Sequence, residues 1–319
     1  MATTRRVPVI ATAVLMILGV GTALSQPYPS KTIRIVTSEP GGGSDLTSRL
    51  IAQGIAGPMG QPVIVDNRGG GTVTVETVLK AAPDGYTILL SASMWLAPLF
   101  QNRPYDPFRD FSPISLVAST PNILVVHPSL RVNTVKELIA LAKFRPGELD
   151  YATGNTGSAS YIAAEKFASM AGVKMVRIPF KGAGPAVSAL IGGQIQLMFA
   201  TGNSVTPHIK SGRLRALALT SPRPSALYPE LPTVAASGVP GYEANTLFGL
   251  FAPAKTSAEI INRLNQEISR MLARAEVKEK LLSIGAEPEG GSPEQWTGTM
   301  KTEIAVLSKI VKDSGLRTD

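Results

Sequence analysis

From Lys31 onward the chain alternates short β-branched runs with stretches of helical periodicity, and this alternation constrains the fold more than any other feature. Parallel neighbours need a crossover of about a dozen residues or more, usually a helix, so such a pattern reads as βαβ units around a mostly parallel sheet. Strands are expected at 33–37, 63–66, 86–91, 114–118 and 123–127. Between them, Leu46, Leu50, Ile51 and Ile55 place an apolar face on a helix over 44–56, and 72–82 has a similar face. The scheme repeats with strands at 149–153, 175–179, 195–199 and 214–220, and with helices near 158–170, 185–191 and 204–210. A chain of 319 residues exceeds one ordinary core, so two α/β domains are expected.

Three capping boxes punctuate the helices: Thr134 with Glu137, Thr256 with Glu259, and Ser292 with Gln295, the last with Pro293 at the first helical position. The Pro- and Gly-rich stretch 221–242 reads as a long loop, and 246–252 as a further strand. Ile260, Ile261, Leu264, Ile268, Met271 and Leu272 form one apolar helical face that is expected to pack on the first domain. The chain would then leave that domain and return: 26–123 as its first part, 124–244 as the second domain, and 245–319 as the return segment.

Residues 1–25 read as a signal peptide. Arg5 and Arg6 precede an apolar run over 9–20, and Ala23 and Ser25 supply small residues before a cleavage point near Gln26. The run is shorter than the roughly 20 apolar residues of a spanning helix. The mature chain is therefore expected to be exported, with 29 basic and 23 acidic residues dispersed along it. No basic cluster interleaved with aromatics suggests nucleic acid; the surplus can steer small anions. With no Cys and two His, thiolate metal sites, disulfides and Cys nucleophiles are excluded, and neither a metal nor a cofactor is expected.

The most informative local feature is the turn after the first expected strand, Ser38-Glu39-Pro40-Gly41-Gly42-Gly43-Ser44-Asp45. Consecutive glycines allow positive φ and close approach, and the N–H groups of the following helix start face the same place. That arrangement suits an anion, though a plain capped strand-to-helix turn has the same sequence. It is neither a dinucleotide fingerprint, because Leu46 stands where the third glycine would, nor a Walker loop. A second turn of the kind follows the strand at 149–153, with Gly154, Thr156, Gly157, Ser158 and Ser160 at another helix start. Ligands of two-domain α/β proteins sit at the carboxyl ends of strands, where Ser93, Trp95, Lys181, Gly182, Asn203 and Ser204 would also lie. No nucleophile elbow or Ser-x-x-Lys pattern occurs. An exported enzyme using Glu39 or Asp45 as general base remains an alternative.

The blocks 28–36 (YPSKTIRIV), Gly41 to Asp45, 60–68 (GQPVIVDNR), 82–87 (APDGYT), Tyr105-Asp106-Pro107 with Asp110-Phe111, 179–182 (PFKG), 231–233 (LPT) and 285–288 (GAEP) stand in one order along the chain. Together they resemble the extracytoplasmic solute receptors of tripartite tricarboxylate transporters, the Bug receptors. The resemblance implies a type II periplasmic binding protein fold, with two α/β domains hinged near 121–127 and 243–249. It implies a small carboxylate held between Ser38, Gly42, Gly43, Ser44 and Asp45 on one side and Thr156, Gly157, Ser158 and Ser160 on the other. It further implies a periplasmic location, a monomer, no catalysis, and a two-component membrane permease as partner; signalling to a membrane sensor is an alternative use of the same receptor. Where many relatives carry an aromatic in the first loop this chain has Ser38-Glu39-Pro40, and Tyr161 and Ala200 replace a common His and a common acidic residue.

Overall fold

The computed structural model describes Ala2 and residues 28–314, apart from 39, 42, 69–71, 155–156 and 181–182. The expected signal segment thus lies outside the described residues. Among those described, no helix is long and apolar enough to cross a membrane.

The chain begins with β1 (Ile33–Thr37), α1 (Gly43–Met59), β2 (Val63–Asn67), α2 (Thr72–Leu79), β3 (Thr87–Ser91), α3 (Ala97–Phe100) and β4 (Phe111–Thr120). It passes through Pro121 into β5 (Asn122–Val126), α4 (Val135–Phe144), β6 (Asp150–Thr153), α5 (Ala159–Ala171), β7 (Val176–Pro179), α6 (Ala183–Ile191), β8 (Leu197–Thr201), α7 (Gly202–Lys210) and β9 (Arg215–Leu219). After a long loop it returns as β10 (Thr246–Pro253), α8 (Ala258–Ala273), α9 (Ala275–Ser283), β11 (Glu287–Pro288) and α10 (Pro293–Ser314). One sheet has the order β11-β4-β10-β3-β1-β2 and the other β7-β6-β8-β5-β9. The architecture is a mixed α/β fold with two sheets.

The expectation of mostly parallel sheets is corrected. β1 pairs in parallel with β2 and β3, and β6 with β7 and β8, as βαβ connection requires. β10 instead runs antiparallel to β3 and β4, and β5 antiparallel to β8 and β9. Both enter their sheet from the other one, so no helical crossover within that sheet dictates their direction.

Both faces of each sheet are covered, which explains the near-continuous apolar strands. In β1 and β3, Ile33, Ile35, Ile88 and Leu90 pack with α1 and α8, while Val36 and Leu89 face Trp95 and Trp296 on the opposite side. In β5, Leu124 and Val126 meet Phe167 and Phe199, whereas Ile123 and Val125 meet Leu190 and Val205. The apolar stripe of α8 packs on the β1 sheet as its period demands: Ile261, Leu264, Ile268, Met271 and Leu272 are all buried there. α1 crosses α8 so closely that a Cβ on Gly54 would lie 2.3 Å from the Met271 sulfur.

Two details of the helical tail differ from expectation. Ser257 caps α8 by accepting from the Ile260 N–H, one residue later than the expected Thr256, whose buried hydroxyl donates to the Pro253 carbonyl at 2.8 Å. The helical stretch also breaks at Arg274, in extended backbone, to start α9, for which no separate helix was expected. The box at Ser292 forms fully, with reciprocal bonds to the Gln295 side chain (2.8 Å) and from the Gln295 N–H (3.2 Å).

Candidate functional site

A cavity of about 550 Å³ opens between the two sheet units. Ser38, Ser44, Ser91, Ser93 and Arg103 line it from the first unit, and Gly157 and Ser158 from the second. The long helices α1 and α5 both begin at this cavity, so N–H groups without intrahelical partners and two positive dipole ends converge on it.

The first turn is held open by charge. Asp45, 2% exposed, accepts from the Gly41 N–H (2.8 Å), Asn67 Nδ2 (2.9 Å) and Arg49 Nε (3.1 Å). Asn67 also donates to the Ser38 carbonyl at 2.7 Å, fastening the turn to the end of β2. Burial pushes the Asp45 carboxyl up, but the Gly41 N–H, Arg49 and Asn67 outweigh it and hold the group below the usual carboxylate range. Gly41 has φ +81°, which favours glycine. Gly43 is required for a different reason: a Cβ there would come within 2.9 Å of the Phe248 ring. Ser44 lines the cavity, and its hydroxyl makes no hydrogen bond among the described residues.

The second turn is held by hydroxyls. Ser158 caps α5, its Oγ accepting from the Tyr161 N–H at 3.3 Å and lying 3.2 Å from Ser160 Oγ. Ser160 in turn accepts from the Gly154 N–H at 3.0 Å. Beneath them Arg177 donates to Thr153 Oγ1 (2.9 Å) and the Gly154 carbonyl (3.3 Å) and stacks on Tyr161, 4.2 Å from its ring centre. Gly157, at φ +82°, packs against Phe100, and Phe100 meets Tyr161 edge-on at 5.6 Å, joining the two units beside the cavity.

Of the residues expected at the site, Ser38, Ser44, Ser93, Gly157 and Ser158 line this cavity, and Gly43 opens α1 at its edge. Asp45 and Ser160 brace the turns from behind. Trp95 does not line this cavity; it packs between Phe251 and Trp296, donates its indole N–H to Glu303 at 2.8 Å, and with Glu303 lines the second cavity described below. Ser204 bonds back to the Thr201 carbonyl at 2.7 Å within its own helix start and does not line the cavity. Glu39, Gly42, Thr156, Lys181 and Gly182 lie outside the described residues, as does the side chain of Asn203. The sequence reading missed Arg103, Gln101 and Ser91. The stretch after β3 was expected to line a cleft, but only the fold brings residues 101–105 back against the start of α2.

A second cavity, of about 680 Å³, lies beside the first along α5, α10 and residues 243–247. Burial pushes Glu303 up to about 7, against the opposing pull of the Trp95 hydrogen bond and of Lys166. Lys166, itself pushed down by burial, donates to the Glu243 carbonyl. Among the described residues, no group of three His, Asp or Glu is placed to hold a metal.

Comparison with known proteins agrees with this fold. BugT of Bordetella pertussis is 37% identical over 299 residues, covering 91% of each chain. The structure of Rpa4515 from R. palustris, determined with adipate, superposes with a TM-score of 0.78 at 35% identity, covering 90% of this chain and 98% of that one. MatC of Rhodopseudomonas palustris, with bound malate, gives 0.74 at 28%, covering 89% and 100%. Residues 47–316 match the tripartite tricarboxylate transporter family receptor, which takes in every strand except β1, α5 in full and α1 from its second turn onward. With two helix starts facing one cleft and relatives aligned along nearly its whole length, this chain belongs to the tripartite tricarboxylate transporter receptor family.

Proposed function

We propose that this protein is an exported, non-catalytic receptor that captures a small carboxylate between its two sheet units and delivers it to a two-component membrane permease. The observation that carries the reading is the convergence of the α1 and α5 N-termini on one cavity, with Ser44 and Ser158 beside them. A carboxylate there would accept backbone N–H and hydroxyl donors from both sides, the arrangement that favours anions at helix starts. Closure would pivot where the chain passes between the sheets, at Pro121 and near Asn245. The relatives solved with adipate and with malate support a carboxylate as the class of ligand. The alternative of Asp45 as a general base is disfavoured, because that carboxylate is buried behind the turn and its acceptor positions are occupied.

The test is thermal denaturation of mature protein, unfolded and refolded to strip co-purified ligand, against carboxylic acids and their amides. A ligand at 100 times its Kd should stabilise by about 2.7 kcal/mol, a shift of several degrees. Equal shifts with acid and amide, or none with any acid, would sink the carboxylate reading.

A further inference from the structure

The second cavity, about 680 Å³, has two oppositely charged side chains in its walls, one from each sheet unit. Lys166 comes from α5 of the second unit, and Glu303 from α10, which packs on the first. Both are partly buried, and each has one neutral hydrogen-bond partner. Lys166 donates to the Glu243 carbonyl on the crossover into β10, and Glu303 accepts from the Trp95 indole at 2.8 Å. No ion pair joins Lys166 to Glu303 among the described residues. Beside them, at the crossover itself, Asn245 Oδ1 and Thr246 Oγ1 are buried without a hydrogen-bond partner among those residues, so a movement here has polar contacts to gain.

An ammonium and a carboxylate drawn from water without their counterion are costly, and contact between them offsets part of that cost. They already sense each other, since the Lys166 charge pulls the Glu303 ionisation down against the push of burial. The surroundings hold few competitors. Glu243 and Lys309 also line the cavity, both exposed to water. β4 and α3 bring no charged side chain to α10, Glu165 of α5 is bonded to Tyr151, and on α8 Glu267 pairs with Arg263 and Arg270. Histidine titrates in the physiological range, but neither His127 nor His208 lines this cavity. Because Lys166 and Glu303 ride on different units, a rotation about the crossover changes their separation.

We propose that Lys166 and Glu303 are a proton-gated latch between the two units: they pair across the second cavity when Glu303 is ionised and part when it is protonated, so that rising pH favours the closed receptor. The inference rests on the closure of the two units in the receptor reading above and adds its regulation. Pairing keeps Glu303 ionised, so closure releases a proton wherever the open form held one. The closed population should then rise by at most tenfold per pH unit just below about pH 7, and level off above it.

Met170 and Val306 stand exposed at the mouth of the cavity, on α5 and α10, and the chain has no Cys. Met170→Cys with Val306→Cys therefore places one spin label on each unit. Distances between the labels, measured without ligand from about pH 5 to about pH 8, should shift towards a shorter population as pH rises. In the same labelled chain, Glu303→Gln and Lys166→Met should each remove the pH dependence. A separation independent of pH, or a shift that survives either substitution, would overturn the latch. In the unaltered protein Trp emission should also titrate at or below about pH 7, because the Trp95 indole is bonded to Glu303. Emission flat across that range would overturn the latch even if no variant folded. Neither measurement needs a ligand, so failure of every acid to bind would remove the receptor reading without altering this outcome.

Discussion

The two turns that face the cleft have similar sequences, glycine and serine before a helix, yet are braced by different chemistry. The α1 turn is tied down by a buried charge, Asp45, reaching Gly41, Arg49 and Asn67, and this leaves Ser44 free. The α5 turn has no carboxylate in its brace; Ser158 and Ser160 are themselves the brace. A serine at the first turn can thus be given wholly to ligand, whereas one at the second divides its hydroxyl between cap and ligand. Similar composition does not assign similar roles; what differs is whether a carboxylate behind the turn accepts its backbone N–H and relieves the hydroxyls of that duty.

The largest expected effect separates these braces from the buried carboxylate outside both turns. Glu303 ionises near 7 in the folded chain and near 4.5 when unfolded. Its burial is therefore harmless below about pH 4.5, and stability falls as pH rises from there towards 7. Glu303→Gln should stabilise by up to about 3 kcal/mol at pH 8 and by almost nothing at pH 4, read from denaturant melts. A variant no more stable than wild type at pH 8 would remove Glu303 from the account.

Asp45 has the opposite sign. Its folded ionisation is depressed, so its contribution is present above the ordinary carboxylate range and is lost as pH falls through the folded value. Asp45→Ala should cost about 2 kcal/mol at neutral pH by stranding the Gly41 N–H and Asn67. Asp45→Asn should flatten the acid limb of the stability curve. If Asp45→Ala costs no more than Ser160→Ala, the contrast between a charged and a hydroxyl brace fails.

Ser158→Ala should remove a helix cap, costing about 1 kcal/mol, and weaken ligand as well. Ser44→Ala is the smallest in stability, below about 0.5 kcal/mol for a side chain without internal bonds. Calorimetry should still show it binding ligand several-fold more weakly. Equal stability losses in the two serine variants would erase the proposed division of labour.

Much of the fold was legible because its signals are local. The expected strands at 33–37 and 63–66 coincide with β1 and β2 to within one residue, since both are short β-branched runs, β1 buried inside its sheet and β2 half-exposed at the edge. The caps at Thr134 and Ser292 were legible because donor and acceptor lie three residues apart. Less of the site was legible. Ser44 and Asp45 are adjacent and equally polar, but one faces the cleft and the other is buried behind it. Trp95 was expected among the residues lining the cleft; its indole packs against Trp296 and borders the second cavity rather than the first.

The sequence by itself determined the order of the main strands and helices, though not the short α3, α9 and β11, the positions of most helix starts, and the apolar stripe by which α8 covers the β1 sheet. These follow from side-chain period and from hydrogen bonds between near neighbours, which are the same in any surroundings. The tertiary structure decided the antiparallel course of β5 and β10, the inward turn of Asp45 and Trp95, and the meeting of Arg103 with Thr72. Each depends on contacts between residues far apart in the chain, where burial and the pairing of long-range polar groups, rather than local propensity, select one arrangement.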